Sequence, residues 1–306
     1  SAPGPVVEPG VPTVLIPSQP RFLEPSEKTT QRRLTLARWM ASPQNPLTAR
    51  VIVNRAWQHH FGAGIVRTPS DFGVMGSAPT HEQLLDWLAL EFIRSGWDVK
   101  ALHKRIMLSA TYRQTSRVTP ALRERDPKNR LLARMTRQRL PSWMIRDQAL
   151  FISGLLVEKR GGPSVKSYQP AGVWAEATFG KKKYTRGKGE DLYRRSLYTF
   201  WRRIIGPTMF FDESKRQICE VRRARTNTPL HALIILNDTT YIEAARALAQ
   251  RALKEADAND PARVTHAFRL ATVRPPKPAE RAILLQRLNQ LRATYAKDNA
   301  TTTALL

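Results

Sequence analysis

The sequence predicts a mainly α-helical fold, a multi-helix globular body with a small β element or extended flap at residues 161–211. Three observations lead there. Apolar residues recur three and four positions apart through most of the chain, the period of a helix with one buried face. Capping residues and glycine stops bracket those segments. Between 161 and 211, by contrast, Gly and Pro fall at turn spacing, KKKYTRGKGED reads as a polar loop, and DLYRRSLYTFWRR has the aromatic, roughly alternating character of a strand.

In chain order, SAPGPVVEPGVPTVLIPSQP reads as a Pro-rich extended linker within residues 1–25. It has neither the basic start nor the apolar core of an export signal, and a linker there suggests a piece of a longer polypeptide. One large, mostly helical domain is expected over 26–300, with lobes at 26–160 and 212–300 joined by the 161–211 insert. Ser26 is expected to cap a helix bearing Leu34, Leu36, Ala37 and Met40, which the prolines of SPQNP end. The second helix carries Leu47, Val51, Trp57 and Phe61, with Gly62 as a left-handed stop. After the loop IVRTPSDFGVMGSAPT, Thr80 and Gln83 form a capping box for an amphipathic helix of Leu84, Leu85, Leu88, Phe92 and Ile93, ending at Gly96. Asp98 caps the next helix, and Pro141 opens another as a first-turn proline. Beyond the flap, helices return in PLHALIILND, in a segment capped by Asp238, in PARVTHAFRLATVR and in AERAILLQRLNQLRATYA.

Fifty Lys and Arg face 25 Asp and Glu, a formal charge of +25 that gives much of the surface a positive potential. The natural partner class is a polyanion: an acidic or sulfated polysaccharide, nucleic acid, an anionic membrane, or an acidic domain of the same parent protein. Charge alone supports nucleic acid, and no recognition motif accompanies it, so it ranks below the others. The single cysteine, Cys219, excludes an intrachain disulfide and any Cys-x-x-Cys metal or haem-attachment motif. No run approaches the ~18 apolar residues of a transmembrane segment.

The most suggestive stretch is CEVRRARTNTPLHALIILND, where Arg222, Arg223 and Arg225 precede a helix start at Thr226, Asn227, Thr228 and Pro229. A helix start exposes unpaired N–H groups at the positive end of the dipole, and guanidinium forks bind oxyanions through paired hydrogen bonds. With Arg194, Arg195 and Arg202 on the preceding strand-like segment, these residues make a candidate anion site. The structural alternative is a helix entry capped by Asn227 or Thr228, its arginines paired with Asp212, Glu213 or Glu220. Tyr193, Tyr198 and Trp201 either stack on sugars or bases or, more commonly for such residues, belong to the core. A second constellation, Asn54, Arg55, His59 and Asp71, could line a catalytic cleft with one His as general base, although no nucleophile motif lies nearby. His59 and His60 point about 100° apart on their helix and do not chelate as a pair. No metal site and no cofactor is predicted for this chain.

With these residues laid out, the chain resembles the carboxy-terminal domain of unknown function of planctomycete cytochrome-c-type proteins. The likeness runs through ARWMASPQNPLTARVIVNRAWQHHFGAGIVRTPSDFG, PTHEQLLDWLALEF, GWDVKALHKRIMLSATYRQTS, GGPSV, YQPAGVW, DLYRRSLYTFWRR and CEVRRARTNTPLHALIILNDTTYIEAARALA, most of residues 30 to 280. The sequence departs from that pattern at His231, where the family commonly has Gln, and at Ser142, Trp143 and Met144, which replace a Glu-Ala approach to Ile-Arg-Asp. The resemblance implies a periplasmic or extracellular component of a longer protein, associated with redox proteins or polysaccharide breakdown. It implies a haem module elsewhere in the parent polypeptide and supplies no catalytic residue. The expectation is therefore an exported accessory domain that binds an anionic glycan or other polyanion. The alternatives are a hydrolase or lyase acting on a complex polysaccharide, or a structural docking domain for the parent.

Overall fold

The computed structural model describes residues 3–5, 7–16, 19–202, 205–214, 218–221, 223, 225–297, 300 and 302–303. Among these the chain is mainly helical, with eleven α-helices, and β structure is limited to isolated bridges. It divides into two compact units, Ser1–Gln138 and Arg139–Leu306.

The first unit contains α1 (Arg32–Met40), α2 (Thr48–Phe61), α3 (Glu82–Arg94), α4 (Val99–Leu108) and α5 (Pro120–Arg125). On α2, Trp57 and Phe61 are buried as expected, but Leu47 and Val51 are only half-buried, and Ala49, Val53 and Ala56 complete the buried apolar face instead. They pack with Leu85, Leu88, Ala89 and Phe92 of α3 and with Leu102 and Ile106 of α4 in one apolar cluster. Trp57 stacks on Phe61 with centroids 4.2 Å apart. Gly62 takes the expected left-handed conformation, φ 79°, and Asp98 caps α4 by accepting the Ala101 N–H at 3.0 Å.

Two expected caps are used otherwise. Thr80 does not start a capping box: its N–H and hydroxyl both go to the Ile65 carbonyl, and α3 begins at Glu82 behind an uncapped His81. Ser26 closes a small turn onto Thr29, and α1 begins at Arg32 after Gln31, which adopts a left-handed φ of 55°. In both cases a backbone carbonyl, three residues away for Ser26 and fifteen for Thr80, takes the hydroxyl that the helix would have used. Three caps were not expected: the buried Asn45, whose Oδ1 accepts the N–H groups of Leu47 and Thr48 ahead of α2, Thr119 before the helix at Pro120, and Asn259 before the helix at Asp260.

The second unit contains α6 (Ser142–Ser153), the short α7 (Val173–Ala177), α8 (Pro229–Asn237), α9 (Thr239–Glu255), α10 (Asp260–Thr272) and α11 (Pro278–Tyr295). Helices α6 and α9 pack on each other, α9 also on α8 and α10, and α10 on α11. Asp238 caps α9 as expected, accepting the Thr240 N–H at 2.9 Å. Pro141 lies one residue outside α6, at its N-cap.

The 161–211 region is an extended flap rather than a hairpin, held by parallel bridges Val157–Arg194 and Val165–Thr199 and broken by 3₁₀ turns at Gly189–Leu192 and Ser196–Tyr198. An extended chain with so few ladder bonds needs other partners for its carbonyls. Two buried arginines supply them. Arg146 on α6 donates to the carbonyls of Leu192 and Arg194 at 2.8 Å each and to the Ser196 hydroxyl at 3.2 Å. Arg194 donates to the carbonyls of Lys159, Gly161 and Pro163 at 2.5–3.0 Å, with its guanidinium 3.9 Å above the Tyr198 ring. No described helix is long and apolar enough to cross a membrane.

Candidate functional site

The helix start at Pro229 is organised around an anion, and the anion is Asp212. This residue, at φ 57°, accepts the Thr226 N–H and the Thr226 hydroxyl, each at 2.7 Å. Burial pushes its carboxyl pKa up. The two Thr226 bonds, with His231 and Arg139 nearby, outweigh that and hold it below the ordinary carboxylate value. Arg139 donates to Asn227 Oδ1 at 2.7 Å and lies 3.1 Å from His231 Nδ1. A guanidinium only donates, so Nδ1 is the acceptor, which puts the ring proton on Nε2, facing Asp212 at 3.8 Å. Phe211 stacks on His231 at 4.1 Å, and Arg139 covers the Phe211 ring at 4.8 Å.

Three further arginines of the expected anion site, Arg223, Arg225 and Arg194, are also engaged within the chain. Arg223 pairs with Glu213, and Arg225 donates to the Arg139 carbonyl at 3.3 Å. Arg222 lies outside the described residues. Arg194 is only 3% exposed and braces the flap. Arg195 and Arg202 remain reachable: Arg195 is exposed with Asp147 at 3.8 Å, and Arg202 is half-buried over the Trp174 ring at 5.7 Å. The TNTP stretch thus has the form of a seat, but the chain's own carboxylate occupies it.

Arg202 leads to a second grouping, which the sequence reading passed over as a polar loop. Trp174 lies between Tyr184 and Phe200, with centroids 5.4 and 6.0 Å away. Lys166 Nζ stands 5.9 Å from the Tyr184 ring and 5.7 Å from the Phe200 ring, and Arg186 stands 5.0 Å from Tyr168. Such distances fall within the reach of cation–π attraction, which orients a cation without neutralising it.

The loop at 180–189 is anchored at three points. The Lys182 N–H donates to the Thr178 hydroxyl, the Tyr184 hydroxyl donates to the Ser167 carbonyl, and the Gly187 N–H donates to the Lys166 carbonyl. It holds Lys181, Lys182, Lys183, Arg186 and Lys188 in solvent beside Phe179, which is 92% exposed. Among the described residues none of these cations, nor Lys166 or Arg202, has a carboxylate within ion-pairing distance. The signal in the sequence was the interleaving of Tyr184 with KKK and RGK, between aromatic segments.

Of the expected aromatic contacts, Tyr198 lies beneath Arg194 and Trp201 stacks with Phe210 at 5.9 Å. The Tyr193 hydroxyl donates to Glu243 at 2.6 Å, and burial, then that carboxylate, pushes its pKa up.

In the first unit the four catalytic candidates have separate surroundings. Asn54 is fully buried and clamps a loop by exchanging two hydrogen bonds with the Val66 backbone, at 2.9 and 3.0 Å. A Cβ at Gly64 would meet the Asn54 amide at 2.5 Å, so the clamp requires glycine there. Arg55 and His59 are exposed, while Asp71 Oδ1 accepts the Gly73 N–H in a turn. A concavity of about 470 Å³ in this unit is lined by Arg50, Val66, Phe72, Glu82 and Asp86, among others, and by none of the four. Among the described residues no three His, Cys, Asp or Glu side chains gather as a metal cluster.

A mainly helical body with a basic, aromatic-backed flap defines a domain class without an assigned activity. The family model of PSD1, a protein of unknown function (DUF1553), matches residues 32–288, and the chain belongs to that family. No curated protein and no solved structure matches it.

Proposed function

We propose that this domain binds an anionic polymer, with a sulfated or uronate-bearing glycan as its occupant, through the flap face of Lys166, Lys181, Lys182, Lys183, Arg186, Lys188 and Arg202. The observation that carries the reading is the exposed run of Lys181, Lys182, Lys183, Arg186 and Lys188, next to half-buried Lys166 and Arg202 over the Tyr184, Phe200 and Trp174 rings, none with an acidic partner among the described residues. Unneutralised cations on an anchored loop attract a polyanion over a distance set by ionic strength, and the exposed Phe179 with the half-buried Tyr184 and Phe200, backed by buried Trp174, offers apolar area to pyranose rings. On this reading the domain is an accessory module of an exported, planctomycete-type polypeptide in the periplasm or outside the cell, with any haem module elsewhere in the parent.

The test is a calorimetric titration of the full chain with a sulfated glycan, a neutral glycan of equal length and a DNA duplex. The reading predicts binding to the sulfated chain, none to the neutral one, and at least tenfold weaker binding in the variant with Lys181→Ala, Lys182→Ala and Lys183→Ala. Equal affinity for neutral and sulfated chains overturns it, and tighter binding to DNA overturns the glycan assignment. Failure to bind any of the three leaves docking of an acidic parent domain as the better reading.

A further inference from the structure

The first unit holds a pair of imidazoles in an arrangement that neither the apolar core nor the polyanion face uses. His60, near the end of α2, presents Nε2 to Nδ1 of His103 on α4 at 2.8 Å, with centroids 5.0 Å apart and planes at 63°. Tyr112 meets His60 edge-on at 5.4 Å. Both histidines are half-buried, so the pair is rigidly backed and reachable from solvent. We propose that His60 Nε2 and His103 Nδ1 form a two-imidazole site for a divalent copper or nickel ion.

Geometry and ligand chemistry carry the proposal. Two nitrogens bound at about 2.0 Å and at right angles lie about 2.8 Å apart, the cis edge of a square-planar or tetragonal centre, whereas a tetrahedral zinc edge is about 3.3 Å. Imidazole suits copper and nickel, and copper stands highest in the divalent affinity order. The present N–H···N contact needs one ring to donate. On metal binding that ring moves its proton to its own other nitrogen, Nδ1 of His60 or Nε2 of His103, and each ring then offers a lone pair with no net proton release. Neither outer nitrogen has a hydrogen-bond partner among the described residues. Water completes the coordination, and the neighbouring Lys104 makes the site weaker than one built with carboxylates.

Copper titration of the full chain by calorimetry, with electron paramagnetic resonance on the one-to-one complex, tests this independently of any glycan. Expected are one equivalent bound, coupling to two nitrogens, at least tenfold weaker binding in His60→Gln and in His103→Gln, and unchanged binding in His81→Gln. Absence of stoichiometric binding overturns the proposal, as does binding that survives both substitutions. Circular dichroism establishes that each variant is folded; if His60→Gln unfolds, His103→Gln and the nitrogen coupling decide.

Discussion

In the Ser1–Gln138 unit the interior is a continuous apolar cluster running from Ala49 to Ile106, whereas in the Arg139–Leu306 unit the largest fully buried side chain is the guanidinium of Arg146. The first unit removes hydrocarbon from water on three helices whose faces repeat at helical spacing. The second must also bury an extended flap, and it does so by giving carbonyls to Arg146 and Arg194. The difference also bears on function. A flap held by buried arginines and by its own ring hydroxyl keeps its outward lysines in solvent without spending them on structure.

The comparison can be broken most forcefully at the two centres. Arg146→Met leaves two carbonyls and a hydroxyl without their donor in a sealed site, at about 1–3 kcal/mol for each unsatisfied group, and is expected to cost about 3–5 kcal/mol in denaturant unfolding, with Arg146→Lys recovering little. A loss below about 1 kcal/mol would show that the flap does not depend on this guanidinium. Phe61→Ala removes a ring from the apolar cluster, 2% exposed, and should cost about 3–5 kcal/mol through transfer and cavity terms. Next comes Gly64→Ala, expected to cost about 1–3 kcal/mol because the new methyl collides with the Asn54 clamp. Asp238→Ala, which removes the α9 cap, should cost about 1 kcal/mol.

The smallest expected effect is a difference in acid sensitivity. His60 has a folded pKa below its unfolded value of about 6.5, so its contribution is complete above that pH and is lost as pH falls through the folded value. Asp212 follows the same sign lower on the scale: its contribution is complete above about 3.9 and disappears only as pH falls further, through its depressed folded pKa. Unfolding measured from pH 7 to 3 should therefore lose stability first from the His60 group. His60→Gln should flatten the upper part of the profile, and Asp212→Asn the lower part.

What was legible in the sequence follows the same division. Leu85, Leu88 and Phe92 repeat at helical spacing and are buried as read, and Gly62, Asp98 and Asp238 end or begin helices where expected, because these signals are local. Asn54 was read as a catalytic candidate because its amide is chemically versatile. Its partner is the backbone of Val66, twelve residues away in a loop, and a backbone group leaves no mark in a sequence. Arg146 and Arg194 were opaque for the same reason: every residue has a carbonyl, so none identifies itself as an acceptor. The helix entry at TNTP was legible as an anion seat, but its occupation by Asp212 depends on a left-handed turn fourteen residues upstream. Lys181 to Lys188 read as an ordinary polar loop because the rings behind them come from three separate segments.

The most direct test of the polyanion account is the ionic-strength dependence of sulfated-glycan affinity, measured for the native chain and for the Lys181→Ala, Lys182→Ala, Lys183→Ala variant. Counterion release predicts a linear fall of log K with log salt, with a slope shallower by about 1 to 3 in the variant. Identical slopes, or an affinity indifferent to salt, would contradict it.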